Sequence, residues 1–295
     1  MSGKIWKILG IVFVLTFPMA ACQTGGSVSE TTPLSIVRNS VAALKAASSF
    51  RLESSLSNQY SIREDATGNM TTTTTTWNST RSVDMSHRQI MLTANVSLSD
   101  GLPEFSVDEY VTGGWEYTNQ VIPRVAGGTS WTKTKLTDDL WRSKAQIDEI
   151  VELLQTSASP AFAADVSQSE YYVLDLVPQK EAMVDWVMSQ DEPNGAFFSG
   201  PQKPGVLAGA ETFTNTFKQG TLRVWIDKRT RLVNKADISA RFEATPNDTG
   251  VYAPSGESLS PGLVISVFQG EHTFYDYNGH IEIKLPQETS SAREY

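Results

Sequence analysis

Cys22 is the single cysteine in a chain of 295 residues, and it stands directly after Met19, Ala20 and Ala21. A thiol in that setting can take a lipid and then become a new amino terminus when the bond before it is cut. The upstream residues fit this chemistry. Lys4 and Lys7 come first, an apolar stretch follows from Ile8 to Met19, and small residues close it, which is the charge, core and cleavage order of an export signal. The core is too short to span a bilayer, which takes about 20 apolar residues. A plain secretory signal would end on a small residue and need no cysteine. Stable attachment takes more than one acyl chain, which a lipidated amino-terminal cysteine supplies. With Cys22 spent in this way, no disulfide framework is available, and the fold must be held by its core.

Other side chains with chemical potential are sparse. Of the three histidines, His87, His272 and His280, none are placed four apart on a helix as zinc-protease ligands would be. His272 and Asp276 share one parity of an expected strand, where an exposed histidine is the simpler expectation. Asp138 and Asp139 sit at an expected helix start, where acidic residues serve the macrodipole rather than proton transfer. The sequence has no phosphate loop, dinucleotide fingerprint or G-x-S-x-G elbow. These readings point away from an enzyme and call for no cofactor or metal. The net charge of -9 includes Lys4 and Lys7, so the processed chain is more acidic still. That argues against nucleic acid as a partner and against a polybasic grip on anionic lipid.

The elements that must position any site begin at Pro33. Leu34, Val37, Val41 and Leu44 recur at helical spacing, with Thr32 as N-cap. Phe50, Leu52, Leu56, Tyr60 and Ile62 then alternate with polar residues as a long strand. The threonine run from Met70 to Thr80 reads as a further strand, since threonine is β-branched. Ile90, Leu92, Ala94, Val96 and Leu98 share one face of the next. Gly113-Gly114 joins the strands 105–112 and 115–120 as a hairpin. Leu140, Ile147, Ile150, Val151 and Leu154 predict a helix, with Thr137 and Asp138 as cap candidates. A strand at 171–177, a short helix at 180–189 and strands at 221–226, 232–242, 263–268, 271–277 and 281–286 complete the chain. The order predicts an α+β fold, an antiparallel sheet with helices on one side.

These residues resemble the bacterial lipoprotein-carrier superfamily, the LolA and LolB type, and more nearly the LppX and LprG type of envelope lipoprotein. The resemblance spans residues 34–287. It rests on the helix leading into a long strand from Val41 to Tyr60, on Trp131-Thr-Lys before a helix, on Leu222 to Lys228 with Leu232-Val, and on Tyr275 to Pro286. It implies a strongly curved antiparallel sheet, an incomplete β-barrel, with helices on its concave side and a gap that holds acyl chains. Two insertions depart from that pattern, a glycine-rich one around Gly195 to Gly209 and another from Pro246 to Pro261.

The domain plan is a signal peptide over 1–21, a flexible spacer over 22–33, a single domain over 34–287 and a tail over 288–295. Localisation follows as the cell envelope, lipid-anchored through Cys22 on the outer side of the cell membrane, or at an outer membrane where the source has one. The expected ligand face is Phe50, Leu52, Leu56, Tyr60, Ile90, Leu92, Val96, Val224 and Ile226. Phe197, Phe198, Val206 and Leu207 would form an apolar lid. A lipid or other hydrophobic ligand needs apolar area rather than a catalytic constellation. The alternative is a closed core, with the domain acting as a protein-interaction or envelope-sensor module. The sequence names no protein partner.

Overall fold

A computed structural model describes residues 31–63, 68–98, 104–121, 131–166, 169–190, 214–244 and 263–294. Cys22 with its signal and the expected lid residues lie outside these, as does the second insertion. The first element, helix α1 (Pro33–Lys45), starts where the sequence places it. Thr32 Oγ1 accepts a hydrogen bond from the Ser35 amide at 3.2 Å, and Pro33 fills the first position, where no donor is needed. Ile36, Val37, Val41 and Leu44 turn inward at helical spacing.

Six strands follow as a meander: β1 (Ser49–Arg63), β2 (Met70–Asp84), β3 (Gln89–Leu98), β4 (Phe105–Thr112), β5 (Trp115–Val121) and β6 (Thr132–Lys135). The threonine run is a strand as expected, paired to β1 over its whole length. At the β4–β5 turn Gly113 and Gly114 have φ of 60° and 79°, the left-handed pair that a two-residue hairpin needs. Helices α2 (Asp138–Ala145) and α3 (Ile147–Thr156) come next, in place of the one helix expected there. Gln146 between them has φ 59° and ends the first helix. The apolar spacing does not register the break, because Leu140 and Ile147 are a heptad apart and stay in phase.

The second meander is β7 (Ala158–Phe162), β8 (Tyr171–Val177), helix α4 (Lys180–Ser189), β9 (Phe217–Asp227), β10 (Val233–Ala244) and β11 (Leu263–Tyr275). A 3-10 helix (Gln287–Ser291) and a short β12 (Arg293–Glu294) end the described chain. The twelve strands of the described residues lie in one sheet, in the order β12-β6-β5-β4-β3-β2-β1-β11-β10-β9-β8-β7. The two meanders meet where β1 pairs β11 antiparallel. Among the described strands only β12 and β6 run parallel, so the sheet is mixed at that edge. It is open and curved, an unclosed barrel with the helices on its concave side, which is the fold class that the sequence predicted.

One expected strand does not form. Residues 281–286 are irregular, because β11 already has β1 on one edge and β10 on the other, leaving no place for a further neighbour. Asp276 and Asn278, with φ of 51° and 57°, turn the chain away instead. Asn278 fastens it: its amide donates to Ser49 O at 2.9 Å, and its Oδ1 accepts from the Ser48 amide at 2.8 Å. Residues read as a tail then return to the sheet as β12.

Glycine matters where α4 is seated on the sheet. A Cβ on Gly270 would lie 2.8 Å from Trp186 Cζ2 and 3.0 Å from Leu56 Cδ2, so α4 sits on β11 only because no side chain intervenes. Gly270→Ala is expected to cost about 1–3 kcal/mol by overpacking, read as a lower thermal midpoint. An unchanged midpoint would refute the seating of α4.

Candidate binding site on the concave face

Eight of the nine residues expected to line a ligand face are buried on the concave side of the sheet, in one apolar cluster. Phe50, Leu52 and Leu56 come from β1, Ile90, Leu92 and Val96 from β3, and Val224 and Ile226 from β9. Tyr60 is half-buried and packs against that cluster. Alternation along each strand places them, and the register brings them into neighbouring rows, Phe50 opposite Val83 and Val83 opposite Ile90. Phe50 lies 6.0 Å from Phe274 and 6.1 Å from Tyr277, ring centre to ring centre.

This face is not uniformly apolar. Arg81 on β2 is in register with Leu52 on one side and Leu92 on the other, and Leu92 is opposite Glu109 on β4. Glu109 and Glu116, on β4 and β5, converge on Lys144 of α2. Lys144 Nζ lies 3.2 Å from Glu109 Oε1 and 2.8 Å from Glu116 Oε1, with all three side chains at most 12% exposed. Burial pulls Lys144 down, but the two carboxylates outweigh it, so its ammonium is held above the ordinary lysine range.

Of the residues whose buried polar atoms have no hydrogen-bond partner among the described residues, three titratable ones belong to this interior. They are Arg81 (Nε and Nη1), Glu149 (Oε2) and His272 (Nε2). Few such atoms occur in native structures, and each costs about 1–3 kcal/mol if left unpaired. Glu149, in the first turn of α3, has its pKa pushed up to about 8 by burial, against the pull of its own backbone amide and of Arg81. It is therefore mostly a neutral acid at pH 7, and so a hydrogen-bond donor. His272 is pushed down to about 3 by burial and by Arg81, so it is a neutral imidazole. Its Nδ1 shares a 2.9 Å hydrogen bond with Ser54 Oγ, and Trp186 stands edge-on at 6.2 Å.

The expectation of an exposed His272 is thus corrected: it is 2% exposed, because its parity on β11 faces α4 rather than solvent. It does not meet Asp276, which pairs with Arg51 at 3.3 Å. Sequence reasoning missed Arg81, Glu109, Lys144 and Glu149 as members of a site. A usable signal was present in the parity of two of them. Arg81 falls in step with Trp77 and Val83, and Glu109 with Val107 and Val111, so a charge appears where the pattern demands an apolar side chain.

On the opposite face of the sheet a groove of about 900 Å³ runs past Ser55, Ser57, Thr221 and Ser239. Its charges are already matched. Arg223 donates to both oxygens of Asp175 at 2.6 and 3.0 Å, and Lys235 reaches Asp237 and Glu271. Among the described residues no group of three or more His, Cys, Asp or Glu is placed to hold a metal ion.

No protein-family profile matches the chain, and no curated protein does. Among solved structures, a DUF1329 family protein from Desulfovibrio piger is similar at 11% identity and a TM-score of 0.24, over 85% of this chain and 93% of that one. A β-barrel-like protein of the domain of unknown function DUF1849 from Brucella abortus is similar at 10% identity and a TM-score of 0.24, over 76% of this chain and 98% of that one. Neighbours at that level carry no argument about function, and the site is read from this chain's own residues.

Proposed function

We propose that this chain is a lipid-anchored envelope lipoprotein, held through Cys22, whose half-barrel binds an amphipathic ligand between the concave face of the sheet and the helices. The observation that carries the reading is the mixed character of that face: a floor of Leu52, Leu56, Leu92 and Phe50 beside buried polar atoms that lack partners. A core that served stability alone would be better filled by apolar side chains, because unpaired buried polar groups only cost free energy. The resemblance to lipoprotein carriers points the same way. The export signal and the cysteine after Ala20-Ala21 supply the address, and the Gly-, Ser- and Thr-rich stretch from Gln23 to Thr32 supplies a tether ahead of α1.

The chain carrying Cys22→Ala tests anchor and ligand together. It is expected in the soluble envelope fraction, with slowed signal removal, and the organic extract of the natively purified protein is expected to hold an amphiphile near one equivalent. A variant as membrane-bound and as fully processed as the parent would remove the anchor. An extract without amphiphile would favour the interaction-module reading.

A further inference from the structure

Some of the charged and polar groups between the sheet and the helices have partners and others do not. Lys144, Glu109 and Glu116 satisfy one another. Arg81 has two buried nitrogens free, Glu149 one buried oxygen and His272 one ring nitrogen. These three come from β2, α3 and β11, and Arg81 acts electrostatically on both of the others. Arg81 is opposite Leu52 on β1 and His272 is opposite Ser54 two residues along the same strand, so these two face one region beside the apolar floor, with Glu149 of α3 in the electrostatic reach of Arg81. A guanidinium and a neutral carboxyl are hydrogen-bond donors, and both call for an acceptor. The chemistry that satisfies them together is an oxyanion, since charge-assisted hydrogen bonds from arginine to carboxylate or phosphate are the stronger kind.

We infer that Arg81 and Glu149 bind the oxyanion head group, a carboxylate or a phosphate, of the amphiphile whose chain lies on the Leu52 and Leu92 floor. The inference rests on the proposed function and names the class of its ligand. Within the site Arg81 supplies the charge. Glu149 supplies a proton to share, and His272, held by Ser54, offers its remaining nitrogen to the same group. Glu109 and Glu116 offset Lys144 and Arg81, so an anion adds one negative charge to a neutral set, and it does so at least cost while Glu149 stays protonated. The titratable groups acting on Glu149 are Arg81 from β2 and Asp148 and Glu152 from its own helix. Arg81 links it to Glu109 and His272, and Lys144 lies on Glu109. The buried sides of α1 and α4 bring mainly apolar residues.

The test uses cis-parinaric acid and its methyl ester, two fluorescent probes that share a chain and differ in the head-group charge, on the chain carrying Cys22→Ala. The acid is expected to bind about tenfold or more tightly than the ester, the worth of a charge-assisted hydrogen bond. Arg81→Gln should bring the two within about twofold by removing that bond. Inorganic phosphate alone should not displace the acid; full displacement would mean a free oxyanion site and overturn the amphiphile assignment. Equal binding of acid and ester by the parent would overturn the head-group assignment and leave the proposed function standing. Binding of neither would remove both. If Arg81→Gln does not fold, Glu149→Gln decides. The parent's preference for the acid should fall as pH rises through about 8, and the variant's should stay flat. A flat parent profile would overturn the inference.

Discussion

Lys144→Met lowers the unfolding free energy by about 3–5 kcal/mol, the cost of leaving buried carboxylates without their counter-charge. Glu109 and Lys144 are 2% and 7% exposed, so water cannot replace the lost partner. Against a domain stability of about 5–15 kcal/mol, such a loss is a large share. Urea unfolding should show it as a shifted midpoint with an unchanged slope. Replacing Glu109 and Lys144 together by apolar residues of similar volume should recover most of it, because the two charges then leave as a neutral pair. A loss under about 1 kcal/mol, the value of a surface ion pair, would show that the triad is solvated.

Stability should also fall on both sides of a mildly acidic plateau. Glu149 has its folded value raised from 4.5 to about 8, so its contribution is full below 4.5 and is lost as pH rises toward 8. His272 has its folded value lowered from 6.5 to about 3, so its contribution is full above 6.5 and is lost as pH falls toward 3. Between 4.5 and 6.5 the two slopes oppose each other and nearly cancel. From pH 6.5 to 8 Glu149 acts without His272 against it, with a loss of about 2 kcal/mol, and Glu109, also raised by burial, adds in the same direction. On the acid side Asp84 and Asp227, both held below the usual carboxylate range, steepen the fall. Thermal melts across this range on the parent and on Glu149→Gln separate the terms. The variant should decline less than the parent from pH 6.5 to 8. A parallel decline would assign the slope to another group.

Much of the fold was legible because each strand carries its own alternation. The threonine strand β2, the Gly113-Gly114 turn and the capped start of α1 at Thr32 follow from local chemistry, and all form. What the sequence did not disclose depends on pairing. Strand β7 and the pair β6 with β12 are too short for a pattern, and 281–286 alternates well but follows β11, whose two edges are already filled. The apolar half of the site was legible for the same reason as the strands, since Phe50, Leu52, Leu56, Ile90 and Leu92 mark one face each. Its polar half was not. Arg81, Glu109, Lys144, Glu149 and His272 come from five elements, and only the register of the sheet and the seating of α2 and α3 bring them together.

The seam between β1 and β11 orders events in time. An N-terminus-first chain presents β1 early, and β2 to β6 can add to it in sequence as they emerge. The other edge of β1 must wait for Leu263–Tyr275, near the end of the chain. Until then it is a long row of unpaired amides and carbonyls, of the kind that recruits other strands. Closing a contact so distant in sequence is slow compared with forming the meanders. The half-finished sheet is therefore the species most exposed to misassembly, and a chaperone that covered one strand edge would protect it.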